Sequence, residues 1–333
     1  MDTIVGITVC LIISFVPALF YAYLVYWTDR YEKEPLLLLG GVFLWGAIVA
    51  AGAAYVVNTL LGAGVYLFTG SEAAANLTTR SLIAPVVEEL LKGFAALIVF
   101  LAFRQEFDTI IDGIVYAAIT ALGFSATENA YYIFSYGYKE HGALGIVALF
   151  ILRVLLVGWQ HPFYTAFTGI GLAVSRLNRN QWIKLGAPII GLGMAMLTHS
   201  AHNTMASFLT GLPGLAAILL VDWSGWVIMF FFAMWALSRE RQWIREHLRE
   251  EVELGVISQA HYRVACSSSL QLFARLMGMF TGQYSVTLRF YQLTADLAYK
   301  KHQRATLGEE AGNTPIIERL RSRVALMALY ARV

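Results

Sequence analysis

The chain has 333 residues, 58% of them hydrophobic and only 14% charged, with a formal net charge of +2. A mean hydropathy of +0.61 excludes an ordinary soluble globular protein and predicts an all-α polytopic membrane protein in contact with the lipid bilayer. The small net charge points away from nucleic acid, and the two cysteines, Cys10 in an apolar stretch and Cys266 in the polar tail, do not make a disulfide framework.

A membrane-crossing helix needs roughly 20 mostly apolar residues. Cutting the chain at its polar interruptions predicts seven crossings. The first, from Thr3 to Trp27, follows Asp2 and lacks a preceding basic region, so it reads as a retained span rather than a cleaved signal. The others run from Leu36 to Phe68, Ser81 to Phe103, Thr109 to Tyr136, Leu152 to Val174, Leu185 to Leu209 and Leu212 to Leu237. Residues 143–151 fit either a short interfacial helix or the first half of an eighth crossing. Placing the N-terminus outside collects Arg30, Lys33, Arg104, Arg176, Arg179, Lys184 and the basic tail on the cytosolic side, leaving Arg80 and Lys139 outside. That pattern favours seven crossings in a multi-pass cell-membrane protein with a cytosolic C-terminus.

The composition changes after Leu237, giving two expected units: a membrane core, 1–237, and a basic helical cytosolic region, 238–333. In the second unit apolar residues recur at helical spacing over Leu270 to Met277, Leu288 to Leu297 and Ile316 to Leu329, with Gly278, Gly282 and the Gly308 to Pro315 stretch as breaks. A small bundle or hairpin hugging the membrane, without catalytic groups, is the expectation.

The chemistry lies in ionisable residues inside the apolar spans, where a charge costs a few kcal/mol or more and usually marks function. Glu88, Glu89 and Lys92 share the third span. Glu88 and Lys92 stand one turn apart, so the ammonium is expected to hold that carboxylate ionised, with Glu89 pointing about 100° away. Phe124, Glu128 and Asn129 lie on the fourth span, the ring one turn before the acid, with Gly123 allowing a neighbouring helix close. Asp112 is expected to sit at the inner interface near Asp108. His161 precedes Pro162 on the fifth span, where the backbone should loosen, while Arg153 is expected to snorkel outward. On the sixth, His199, His202 and Asn203 fall within one turn, and His199 with Asn203 could polarise a carbonyl and hold its oxyanion. Counted from the outer helix ends, Glu88, Glu128, His161 and His199 lie about 7, 8, 9 and 10 residues deep. Helices of alternating direction thus bring these groups to one layer.

No His-Glu-x-x-His helix, Gly-x-Gly-Asp pair, Gly-x-Ser-x-Gly elbow or phosphate loop occurs. Carboxylate and imidazole chemistry on water remains, with Glu88, Glu89 or Glu128 as general base. A divalent metal such as zinc, held by Glu88, Glu128, His161 and His199, is compatible with these residue types, although no spacing demands it.

Taken in order, Asp29-Arg30-Tyr31-Glu32-Lys33-Glu34-Pro35, Glu88-Glu89-x-x-Lys92, Asp112-Gly113-Ile114-Val115-Tyr116, Gly123-Phe124-x-x-x-Glu128-Asn129, His161 with Thr165 and Gly169, and His199-x-x-x-Asn203 resemble the PrsW family of intramembrane proteases. That family belongs to a wider group with the CAAX prenyl endopeptidases and bacteriocin-processing enzymes. The resemblance covers roughly Trp27 to Ser207. It implies cleavage of a membrane-anchored protein substrate on the extracytoplasmic side, as in processing of an anti-sigma factor. By motif position it makes Glu88, Glu89 and His199 the catalytic core, completed by Glu128 and His161. Lys92, Phe124, Asn129, His202 and Asn203 would support them, Asn203 standing where some members carry Asp. The resemblance leaves a metal-dependent and a glutamic mechanism open. The competing readings are a proton- or cation-coupled transporter, against which the chain shows no internal repeat, and a noncatalytic membrane binding protein.

Overall fold

The computed structural model describes residues 3–309, 312–331 and 333, so Asp2 lies outside the described residues. Among these, all regular structure is helical: α1 Thr3–Thr28, α2 Leu36–Leu44, α3 Ala51–Thr69, α4 Glu72–Thr78, α5 Ala84–Ala102, α6 Ile110–Tyr132, α7 Lys139–Leu149, α8 Gln160–Arg176, α9 Gln181–Phe208, α10 Gly211–His247, α11 Arg249–Glu253, α12 Gln259–Ala265, α13 Ser268–Phe280, α14 Tyr284–Leu307 and α15 Asn313–Ala328. Among the described residues, four helical stretches are long and apolar enough to cross a membrane: Thr3–Thr28, Leu36–Thr69, Ile110–Arg176 and Gly211–Glu253. Wide π-helical turns at Trp45–Ala50, Thr79–Ile83, Ile133–Tyr138 and Phe150–Leu156 interrupt the helices. Such turns displace backbone carbonyls from the regular ladder and favour functional sites.

At the centre, α6 is apolar on every side and buries nearly all its residues between Ile111 and Ala130. Its start is fixed by a capping box, in which the Asp112 carboxylate accepts from the Asp108 and Thr109 N–H groups at 2.8 and 2.7 Å. Asp112 therefore caps the start of α6 rather than serving the polar layer. Gly142, at φ +60°, folds the chain back after α7 begins. The returning arm pairs with α6 in a single antiparallel register. Gly113 lies against Gly169, Asn129 against Arg153 and Gly137 against Gly145, and the two glycine pairs are so close that any Cβ would strike the opposite carbonyl. This arm breaks at Val157–Trp159, just before α8, while Pro162 sits in the first turn of α8. The loosening expected at His161-Pro162 thus falls one turn upstream, because a first-turn proline has no intrahelical N–H to lose.

The C-terminal region has its own apolar centre, made by Phe290, Leu293, Leu297, Ile244 and Leu248 with Tyr31 from the α1–α2 connection. Yet α10 runs unbroken past Leu237. Lys300 and Gln303 of α14 bind the Asp108 carboxylate at 2.6 and 2.5 Å, tying the bundle to the start of α6.

Within the bundle, His302 stacks on Trp243 with ring centroids 4.1 Å apart. Burial, the neighbouring His247 and the Arg239 guanidinium push its pKa down to about 4. The folded state therefore holds neutral His302, whereas the unfolded chain takes up a proton below about pH 6.5. Stability from this group is complete above about 6.5 and is lost as pH falls toward 4. Thermal unfolding in detergent should shift downward across that window, and His302→Phe should lose the His302 part of the slope. The comparison must be made between the two proteins. Asp29 and Asp296, raised by burial to about 7 and about 6, contribute a slope of opposite sign in both.

Candidate functional site

The polar residues of four separate segments meet. On α5, Glu88, Glu89 and Lys92 are 6%, 0% and 0% exposed, so each must find its partners inside the protein. Lys92 Nζ lies 2.5 Å from Glu89 Oε1 and 3.1 Å from His161 Nδ1, and 4.5 Å above the Phe124 ring. The ammonium was expected at Glu88, one turn away. It turns instead to Glu89, at i, i+3, because that face of α5 packs on α8 and α9, whose Thr165 and His199 converge on the same carboxylate. Thr165 Oγ1 donates to Glu89 Oε2 at 2.8 Å, and His199 Nδ1 lies 2.9 Å from Glu89 Oε1. Glu88 faces the other way, accepting from Asn58 Nδ2 at 3.3 Å, and its Oε2 is buried with no partner.

Glu128 of α6 lies 2.8 Å from His161 Nε2 and accepts from Arg153 Nη2 at 2.9 Å. Arg153 also donates to Asn129 Oδ1 at 3.0 Å and covers the Tyr132 ring. It does not snorkel outward. The antiparallel register with α6 aims it inward, where a planar guanidinium satisfies two acceptors and a ring together. Phe124 and His161 have ring centroids 5.4 Å apart, and His161 and His199 5.1 Å. Tyr164 stacks on His199 at 4.8 Å.

Donor and acceptor roles follow from these partners. Lys92 can only donate, so His161 Nδ1 accepts and its Nε2–H points to Glu128. Glu89 accepts the Nδ1–H of His199, leaving the Nε2 lone pair directed toward Glu88, 3.9 Å from its Oε2. Ligand atoms of Glu88, His161 and His199 lie within 4.8 Å of one another. The orphaned Glu88 oxygen, the free His199 nitrogen and the carboxylate behind that imidazole suit a divalent cation. His161 would give up one of its two partners to join them. Glu128, whose Oε2 already serves Arg153 and His161, falls outside this ligand set.

A cavity of about 860 Å³ reaches this cluster, walled by Glu88, Glu128, Phe124 and Asn58 at its depth and by Tyr55 and Tyr136 toward its mouth. Two expected supporting residues lie elsewhere. Asn203 donates to the Arg80 carbonyl at 2.9 Å, and Ser200 to that of Ser81. The wide turn at Thr79–Ile83 leaves those carbonyls in need of donors, which draws Asn203 away from the oxyanion role. His202 pairs with Asp222 of α10 at 3.1 Å and lies 3.0 Å from Gln160 Nε2, behind the His199 layer. Asn58 and Asp222 were missed in the sequence. Each is a lone polar group in a long apolar span, a signal that residue-by-residue reading of every span can catch.

A family model described as PrsW family intramembrane metalloprotease matches residues 34–237. Protease PrsW of Geobacillus kaustophilus (strain HTA426) is 26% identical over 241 residues, covering 71% of this chain and 92% of that protein. Protease PrsW of Clostridioides difficile (strain 630) is 35% identical over 127 residues, 37% of this chain and 50% of that protein. Protease PrsW of Bacillus subtilis (strain 168) is 23% identical over 214 residues, 63% of this chain and 83% of that protein. No solved structure matches the chain. The matched residues include every group of the cluster, and the bundle beyond Leu237 lies outside them.

Proposed function

The chain belongs to the PrsW family of intramembrane metalloproteases, and from that premise we propose that Glu88, Glu89, Glu128, His161 and His199 form its peptide-bond hydrolysis site. The observation that carries this reading is one hydrogen-bonded network of these groups with Lys92, opening through Glu88 and Glu128 onto a cavity of about 860 Å³. Glu88 is the group that meets the reacting water. Its partnerless Oε2 accepts the water proton as oxygen attacks the carbonyl, and returns it to the leaving amine. Glu89 holds the Nδ1–H of His199, and Arg153 holds Glu128 against His161, so both imidazoles keep a set tautomer without moving. Phe124 forms an apolar wall of the substrate cleft.

Glu88, His161 and His199 would hold a divalent ion such as zinc, which when bound supplies Lewis-acid polarisation of the carbonyl. The role of base then passes to Glu128, the second carboxylate on the cavity wall. Chelation should abolish cleavage by the purified protein and added zinc restore it, read alongside metal content by mass spectrometry. Full activity in metal-free protein would remove the ion from the reaction.

Seven crossings fit this protein. The continuous register of the 143–176 arm on α6 supports one broken descent rather than an eighth crossing. The N-terminus is outside and the 238–333 bundle cytosolic, as the basic loops favour, and the cleft then opens to the outer side. The substrate is a membrane-anchored protein cut near that face, its segment entering between α3 and α6. Comparative membrane proteomics of cells carrying the wild-type chain or Glu88→Gln tests this. One anchored protein should accumulate uncut with the variant, and identical fragment profiles would reject the reading.

A further inference from the structure

The helix α13 is inverted, with its apolar side turned outward. Its inward face is Gln271, Ala274, Arg275 and Gly278, whereas Leu270, Leu272, Phe273, Leu276, Met279 and Phe280 point outward. Phe273 is 61%, Met279 62% and Phe280 85% exposed. A helix on a water-facing bundle carries the opposite arrangement, with large apolar residues inside. Gln271 and Arg275 both find hydrogen-bond partners on the inward face. Gln271 Nε2 donates to the Ala265 carbonyl at 2.9 Å, and Arg275 Nη2 donates to Gln271 Oε1 at 3.0 Å. Gly278 brings the helix against the backbone of Tyr284. Rotation to hide the apolar side would break both hydrogen bonds and lift Gly278 off the Tyr284 backbone.

The position of α13 says what covers the outward face. On its inward side Ala274 packs in the same apolar core as Tyr31, just past the end of the α1 span. Trp27, Leu36 and Leu37, at the adjoining ends of the first two spans, are 49%, 69% and 91% exposed, so an apolar surface exists at that same level. The α13 face continues it, and the only charged side chain of the helix, Arg275, points inward. We propose that α13 is an interfacial helix, its Phe273–Phe280 side sunk in the lipid leaflet next to the Asp29 end of α1. The C-terminal bundle then rests on the bilayer through this side. Apolar area at the headgroup boundary, with aromatic residues along the helix and at its end, is the composition such helices use. The inference depends only on α1 and α2 crossing the membrane, and stands apart from the proteolytic site.

The test uses the full chain, with Cys10→Ala and Cys266→Ala, in vesicles of phosphatidylethanolamine and phosphatidylglycerol. Nitroxide labels are placed at Phe273→Cys, Leu276→Cys and Phe280→Cys, with Arg263→Cys and Arg289→Cys as exposed polar controls. Collision with lipid-soluble oxygen should exceed collision with a water-soluble nickel chelate several-fold at the first three sites, and the order should reverse at the controls. Nickel-dominated collision at positions 273, 276 and 280 would overturn the proposal. So would protection from both reagents with spin–spin broadening, which would assign the face to a second copy of the chain.

Discussion

Glu88→Gln should leave a folded protein that cuts a membrane-anchored substrate about 10²–10⁴-fold more slowly, the scale of a lost acid–base group. That range corresponds to about 3–5 kcal/mol of transition-state stabilisation. The amide keeps the shape of the side chain and can still pair with Asn58, but it cannot take a proton from water and is a far poorer ligand for a divalent ion. Little stability should be lost, because the Glu88 Oε2 being replaced is buried without a partner. The measurement is a pair of assays on one preparation: cleavage of an anchored reporter, and thermal unfolding in detergent. The loss should fall on kcat, since Phe124 and the tyrosines of the cleft are untouched. Cleavage at the wild-type rate by the folded variant would take Glu88 out of the chemistry.

Lys92→Met should act on a different quantity. It strips the fully buried Glu89 of its ammonium partner, and breaking a buried ion pair from one side costs about 3–5 kcal/mol. Glu89→Gln leaves the buried Lys92 ammonium without a carboxylate, with only His161 and the Phe124 ring beside it, so both single variants should unfold at markedly lower temperature than Glu88→Gln. Together they should cost less than their sum, with a coupling of about 1–3 kcal/mol, because the double variant leaves neither charge unpaired. All three should be inactive, as the hold of Glu89 on His199 is weakened or lost. Strict additivity in the double-mutant cycle would show that Glu89 and Lys92 do not stabilise each other. These variants also separate positioning from chemistry: Glu88 affects rate at constant stability, while the Glu89–Lys92 pair affects both.

Much of the protein was legible before any coordinates. Lipid cannot hydrogen-bond, so carboxylates, an ammonium and imidazoles inside apolar stretches stand out from a sequence and mark a candidate site. Glu88, Glu89, Lys92, Glu128, His161 and His199 were visible for that reason, as were the all-helical class and four stretches long and apolar enough to cross a bilayer. Tertiary structure decided the pairings. Helical spacing paired Lys92 with Glu88, one turn away, and the packing of α5 on α8 and α9 turned it to Glu89 instead. Arg153 had the length to reach lipid headgroups or the site, and the register of its arm against α6 turned it inward. Asn203 stood at the right spacing beside His199, but the carbonyls freed at Thr79–Ile83 lie nearer and claimed it. The periodicity of Leu270 to Met277 gave a helix without saying which side faces the protein. Spacing along a chain is local and fixes which groups share a helix face, whereas the partner of each group depends on how separate helices rotate and register against one another.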